Sequence, residues 1–307
     1  MNYPEIIVFG RNCIDYIAIV DEFPREDQKV PLEFRLEEAG GQGGTSSCCI
    51  SRLGGSVAYI GKVGDDEVGR FCLNRLKDFR VNTKYIEIVK KGRTPIAYVF
   101  VTKSNGKRTI IYDHSTLPII EITKSIEEIL SKARVVLLDP EVTYLAKVLR
   151  PLAEDRFRII YDCERWRDGI TDIMEVADYF VPTADFLDSK ELPFDNKSFF
   201  DKIFRLKEML KGEIIVTKGI EGAYYIKNKS LYHVPAIKIR IKDTIGAGDN
   251  FHAALAYAIN RDYTLDMAVK LSVTVASLSC REYGGRNGIP NLTEAIKIAE
   301  DIEERLV

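Results

Sequence analysis

The sequence predicts an α/β fold built on a mostly parallel central sheet, and three observations support this. Short β-branched runs alternate with segments of helical spacing, five of the six runs close on Gly, Asp or Pro, and the final third carries three stretches of helical apolar periodicity. With 307 residues, 46% of them apolar and 29% charged, the chain suits one large globular domain better than a disordered or fibrous one.

The runs are EIIVFG at 5–10, SVAYIGKV at 56–63, RVVLLD at 134–139, FRIIYD at 157–162, DYFVP at 178–182 and GEIIVTKG at 212–219. Their closing residues put polar or flexible groups at the carboxyl ends of strands, where open α/β sheets build their sites. Two stretches, 14–38 and 94–113, read as strands without helices, the second a hairpin around Ser104, Asn105 and Gly106. Together they form a small β lid inserted into a single domain spanning 1–307, with apolar faces such as Ile17, Ile19, Val99 and Val101 that would be left open to water without a dimer contact. Helices are predicted at 249–260, 264–281 and 292–305, starting near Gly248, Thr264 and Asn291.

Charge and composition narrow the function. Lys plus Arg at 44 against Asp plus Glu at 46 leaves a net charge of −2, without the uniform basic field of nonspecific nucleic-acid binders, so no nucleic-acid partner is expected. No run of ~18 uncharged apolar residues occurs, and MNYPEIIVFG lacks a basic segment followed by an apolar one. No membrane association is expected, and the cytoplasm is the expected compartment. The six cysteines show no Cys-x-x-Cys pair and lie mostly in apolar stretches, which predicts buried reduced thiols. His114, His233 and His252 share no ligand spacing and read as packing or surface residues. Arg108, Arg281 and Arg286 read as solvated cations, and Trp166, between Arg165 and Arg167, as part of an ordinary loop.

Two glycine-rich segments carry the chemistry. Lys242-Asp243-Thr244-Ile245-Gly246-Ala247-Gly248-Asp249-Asn250-Phe251 runs into a helical pattern. Small residues at 246–248 let backbone N–H groups approach an anion, and the following helix adds its positive end. Asp249 falls in the first turn, where a carboxylate is stabilised in its ionised form and can take a proton from a hydroxyl held beside a phosphate. The same residues also fit a plain loop with an Asp near the N-cap. The second segment, Glu38-Ala39-Gly40-Gly41-Gln42-Gly43-Gly44-Thr45-Ser46-Ser47, again joins an extended stretch to a helix. It is not a dinucleotide fingerprint, because Gly-x-Gly-x-x-Gly is absent, and the chain has no Walker loop.

Gly40-Gly41 opening a helix that ends in Leu53-Gly54-Gly55, then Gly61-Lys62-Val63-Gly64-Asp65-Asp66 with Gly69, and finally Asp243 to Phe251, resemble the two signatures of the ribokinase-like (PfkB-type) carbohydrate kinases in order and separation. The resemblance covers essentially the whole chain. It implies a ribokinase-like fold whose β lid closes over a sugar and provides a homodimer contact. It implies Asp249 as general base, with Gly246, Ala247 and Gly248 as the anion hole. Asp15, Gly41, Gln42 and Thr45 become sugar contacts, with Glu141 a further substrate candidate. Thr217, Lys218, Gly219 and Gly222 become the strand end that meets ATP, and Asp243 with the turn at 281–288 resembles the family's site for a monovalent cation such as K⁺. Thr45 and Cys13 stand where members commonly have Asn, which points away from ribose. Pro182-Thr183-Ala184-Asp185-Phe186 stands where many members show Asn-x-x-Glu, tied to the water shell of Mg²⁺, so the sequence assigns no metal ligand.

The resulting expectation is ATP- and Mg²⁺-dependent phosphoryl transfer to a hydroxyl of a small sugar, preferably a ketohexose or related ketose. A nucleoside kinase of the same fold is one rival and would need a stacking slot for a base. A non-catalytic binding or regulatory protein is another, although it need not keep Asp249 and its glycines.

Overall fold

The computed structural model describes residues 3–113, 116–153 and 156–307. Its strands are β1 (Ile6–Phe9), β2 (Cys13–Val20), β3 (Phe34–Gly40), β4 (Val57–Ile60), β5 (Lys62–Gly64), β6 (Glu87–Val89), β7 (Ile96–Thr102), β8 (Arg108–Tyr112), β9 (Val135–Leu138), β10 (Arg158–Cys163), β11 (Tyr179–Pro182), β12 (Glu213–Thr217), β13 (Ala223–Lys227), β14 (Ser230–Val234) and β15 (Arg305–Leu306). The helices are α1 (Gln42–Arg52), α2 (Glu67–Asp78), α3 (Lys124–Leu130), α4 (Ala146–Ala153), α5 (Ile170–Val176), α6 (Phe199–Met209), α7 (Ala247–Asn260), α8 (Leu265–Ser279) and α9 (Leu292–Glu300).

The main sheet runs β15-β14-β13-β12-β11-β10-β9-β1-β4. The six strands from β12 to β4 are parallel, and β13 to β15 add an antiparallel edge. Alternation along each parallel strand feeds two cores. Ile7, Phe9, Val136 and Leu138 face α3 to α6, while Ile6, Val8, Val135 and Leu137 face α1 and α7 to α9. Burial on both faces is why these strands read as continuous apolar runs.

Five features depart from the sequence reading. The run at 56–63 divides at Gly61, where a Cβ would stand 2.2 Å from the Tyr59 hydroxyl, and β5 leaves the main sheet to pair with β6. The hairpin β13–β14 was not foreseen. The last helix stops at Glu300, short of 305, because Arg305–Leu306 pairs with β14. The first lid segment is strand only at its two ends, since β2 and β3 flank a stretch of turns and bends at 21–33. Finally, Ala247 already belongs to α7, so Asp249 is its third residue.

The lid is a four-stranded sheet of order β3-β2-β7-β8, in which β2 and β7 are parallel. Ile17, Ile19, Val99 and Val101, which the sequence suggests as an exposed apolar face, are buried within the chain against Ile245, Leu36 and Tyr283. The outer face instead carries Tyr16 stacked on Tyr98 at 5.6 Å, and Ile111, with Tyr98 52% and Ile111 56% exposed. All six cysteines are free and buried, as expected. Among the described residues no helix is long and apolar enough to cross a membrane.

Candidate active site

The site forms where the amino ends of α1 and α7 converge at the carboxyl edge of the sheet. Gly246 caps α7 with φ +70°, and a Cβ there would come within 2.8 Å of the Gly285 Cα and 3.2 Å of the Thr45 methyl. A glycine is needed on both counts. A Cβ at Gly248 would meet only open space, so the first turn of α7 faces the cleft. Its N–H groups and positive dipole end form an anion-binding concavity. α1 begins the same way: Gly41, at φ +82°, packs on the Arg11 carbonyl and Asn12, and Gln42 opens the helix half-buried. The Ser46 hydroxyl donates to the Asp249 carbonyl at 3.1 Å, which fixes the two helix ends against one another.

The half-buried Asp249 carboxyl is pushed up to about 7, mainly by burial and then by the Asp162 carboxylate, with His252 and Arg108 opposing. Buried His252 lies 2.6 Å from the Gly248 carbonyl through Nδ1 and 3.5 Å from Asp162 Oδ2, and burial holds its imidazole below the usual range. It packs as expected; its contact with Asp162 was not foreseen. His233 is a surface residue stacked on Tyr224 at 4.4 Å, and His114 lies outside the described residues.

Asp15 projects from β2 on the inner face of the lid. It is 8% exposed, and a Cβ at Gly40 would overlap its carboxylate. Burial raises it to about 6, against a hydrogen bond from the Cys13 thiol at 3.3 Å and the Arg286 charge. Arg286 is the principal correction to the sequence reading. It is 2% exposed, and donates through Nη2 to the Gly40 carbonyl at 2.8 Å and Asn12 Oδ1 at 3.2 Å, and through Nε to the Thr45 hydroxyl at 3.4 Å. Asn12 was also missed; a polar residue just past the first strand was its signal. Arg281 pairs with Glu294 at 2.7 Å, while Arg108 is exposed and donates to the Thr244 hydroxyl at 3.0 Å.

Asp243 ties the turn at 284–286 to the glycine loop. Its oxygens accept the Ile245 N–H at 2.8 Å and the Gly284 N–H at 2.9 Å, and Asn250 Nδ2 donates to the Gly285 carbonyl at 2.9 Å. Glu141 sits in the short turn after β9 with both oxygens engaged, by Arg11 at 3.0 Å and Arg167 at 2.9 Å. At the end of β12 the Thr217 hydroxyl reaches the Pro182 carbonyl at 3.5 Å. Lys218 pairs with Glu221 at 2.9 Å and lies 4.3 Å from the centre of the Phe199 ring. Gly219, at φ +52°, borders open space, and Gly222, at φ +100°, is pressed against the Val234 carbonyl. These residues share the carboxyl edge of the sheet with Asp249 but belong to a separate turn. Trp166 stacks on Phe186 at 6.1 Å, as a loop residue would.

Replacing Asp243 with Ala would strip acceptors from two N–H groups in a buried turn. Urea unfolding should show a loss of roughly 2–4 kcal/mol, and Asp243→Asn, which keeps one acceptor, should lose about half as much.

The pfkB family carbohydrate kinase model matches residues 4–292. The chain is 26% identical over 309 residues to a ribokinase of Lactococcus lactis, covering 98% of this chain and 99% of that protein. It is 24% identical over 312 residues to a 5-dehydro-2-deoxygluconokinase of Listeria monocytogenes, covering 94% of each. Among solved structures, the ribokinase of Giardia lamblia superposes with a TM-score of 0.84 at 18% identity, over 97% of this chain and 99% of that one. The ribokinase of Arabidopsis thaliana, complexed with ribose and ATP, superposes with a TM-score of 0.79 at 21% identity, also over 97% and 99%. These structures establish a shared ribokinase fold. With the family match spanning nearly its whole length, the chain belongs to the pfkB family of carbohydrate kinases.

Proposed function

We propose that the protein transfers the γ-phosphoryl group of ATP to a hydroxyl of a small sugar, with a ketohexose or related ketose as the preferred acceptor. One observation carries the reading: Asp249 stands in the first turn of the helix whose amides face the cleft, while Gly41 and the first turn of α1, which bears Thr45, are fastened beside it. An acceptor hydroxyl and a γ-phosphate brought there meet on adjacent residues. Asp249 takes the hydroxyl proton, the hydroxyl oxygen forms a bond to phosphorus, and the bond from phosphorus to the β–γ bridging oxygen breaks, releasing ADP. The first-turn amides of α7 stabilise charge on the transferring group, and Arg108, beside Thr244, adds a cation from the lid. Asp15, Gln42 and Thr45 offer polar contacts to adjacent hydroxyls. Thr217, Lys218, Gly219 and Gly222 form the turn assigned to the nucleotide.

Mg²⁺ would arrive with the nucleotide, held mainly by phosphates and water with one or two carboxylates. Among the described residues no group of three or more His, Cys, Asp or Glu could hold a metal alone. Asp185, exposed just past β11, is the carboxylate suited to such a water shell. Asp243 accepts the Ile245 and Gly284 amides without exhausting the acceptor sites of its carboxylate, which is compatible with a monovalent cation at the 281–288 turn. The exposed Tyr98 and Ile111 on the outer face of the lid make that face the contact of a homodimer.

Asp249→Asn should fold and bind ATP yet lose about two to four decades in kcat in a coupled ADP-release assay; near-normal turnover would remove the assigned base. Because the base acts ionised and Asp249 is pushed up to about 7, kcat/KM should fall below neutrality with unit slope and level off above it. The groups around it, Asp162, His252, Arg108 and Asp15, set that midpoint. Sedimentation equilibrium should give twice the 34.8 kDa chain mass. Tyr98→Asp should return the monomer, and a monomeric wild type at every concentration would overturn the dimer alone.

A further inference from the structure

The end of the cleft beyond Asp15 carries the guanidinium groups of Arg11, Arg165 and Arg167, of which Arg165 is in no ion pair among the described residues. Cross-strand register places Asp15, Ala97 and Tyr112 in one row on the inner face of the lid. Two strand spacings, roughly 10 Å, separate Asp15 from Tyr112, with only the Ala97 methyl between them. A small sugar lying over Ala97 with one end at Asp15 therefore points its other end at Tyr112.

Arg11 lies over the Tyr112 ring at 5.7 Å, and Arg165, from the loop after β10, donates to the Tyr112 hydroxyl at 2.8 Å. Arg11 and Arg167 divide a single carboxylate, Glu141, and Arg167 is 4.0 Å from Glu164. Among the described residues Arg167 Nε is buried without a hydrogen-bond partner. Arg165 forms no ion pair with a carboxylate among the described residues; its contact is with the Tyr112 hydroxyl. Arg11 and Arg167 also feel the Asp139 and Asp162 carboxylates, so the guanidinium left without an ion pair is that of Arg165, exposed at the cleft mouth with its forked donors available.

We propose that the acceptor sugar carries an oxyanion at the end remote from the phosphorylated hydroxyl, and that Arg165, with Arg11 beside it on Tyr112, binds that group. The proposal rests on the sugar-kinase reading above and narrows it. A carboxylate or a phosphate ester presents the acceptor geometry that a guanidinium fork matches, whereas a neutral hydroxymethyl end leaves Arg165 without a charged partner. Glu141 serves here as the spacer that holds Arg11 and Arg167 in place.

The test is a coupled ADP-release assay on the full chain with fructose, 5-ketogluconate and fructose 6-phosphate, in the wild type, Arg165→Gln and Arg165→Lys. One of the two anionic ketoses should exceed fructose in kcat/KM by at least tenfold, and which one does so separates carboxylate from phosphate. That ratio should fall about tenfold in Arg165→Gln and substantially less in Arg165→Lys, which keeps the charge. Each ratio is read within one protein, so a general loss of activity does not imitate the result. Fructose matching or exceeding both anions, or an anion preference unmoved in Arg165→Gln, overturns the proposal and leaves the kinase reading standing. No ADP release with any sugar overturns both.

Discussion

The site depends on one short turn. Residues 284–286 connect α8 to α9 by way of the cleft, and three polar contacts radiate from them: the Gly284 amide to Asp243, the Gly285 carbonyl to Asn250, and the Arg286 guanidinium to Gly40, Asn12 and Thr45. The first two hold the loop that opens α7 and the third holds the loop that opens α1. Two glycine-rich segments some two hundred residues apart in sequence are thereby fixed in register by neighbouring residues of a third. Glycine loops have high conformational entropy, so a backbone cradle made of them needs outside anchors. A guanidinium is well suited, because its planar fork reaches a carbonyl, an amide and a hydroxyl at once.

The same arrangement concentrates charge. Asp15, Asp139, Asp162 and Asp249 are all raised by burial, and each stands at or near the carboxyl edge. Their roles separate by partner. Asp139 accepts the Arg11 and Glu141 amides and serves the turn after β9. Asp15 has the Cys13 thiol and the Arg286 charge, and remains aimed at the cleft. Among the described residues no amide donates to the Asp249 carboxyl, and burial with the Asp162 charge pushes it up to about 7. Arg286 is costly as a structural cation, since its Nη1 is buried without an acceptor. A neutral side chain of similar length would avoid that cost but would leave Asp15 without the buried positive charge that opposes its neutralisation.

Much of this was legible in the sequence, for physical reasons that can be named. The strands β1 and β9 to β12 are buried on both faces, so each is a short β-branched run bounded by turn residues. The glycine turn into α7 was legible because small residues at consecutive positions before a helical pattern mark a close backbone approach. The β13–β14 hairpin escaped because its turn uses Asn228 and Lys229 at positive φ, without the glycine that usually marks such turns. The end of α9 was overrun because helical spacing persists past Glu300, where pairing with β14 takes over. Arg286 escaped because an arginine among glycines reads as solvated surface; only the tertiary fold brings the Gly40 carbonyl to it. The inner and outer faces of the lid were exchanged for a related reason, since alternation shows that a strand has two faces but not which one the chain covers.

The lid is also more than a cover. Its hairpin tip rests on the loop that opens α7, with the Thr244 hydroxyl donating to the Gly106 carbonyl at 3.3 Å and accepting from Arg108 at 3.0 Å. Its other end is continuous with the loop that opens α1, because β3 runs through Gly40 into that helix. Ile245, within the loop that opens α7, packs into the lid's own apolar cluster. A displacement of the lid therefore strains contacts at both glycine loops instead of pivoting freely about a hinge. Sheet, turn and lid thus converge on the same few residues, and the cleft's geometry is set jointly by elements at opposite ends of the chain.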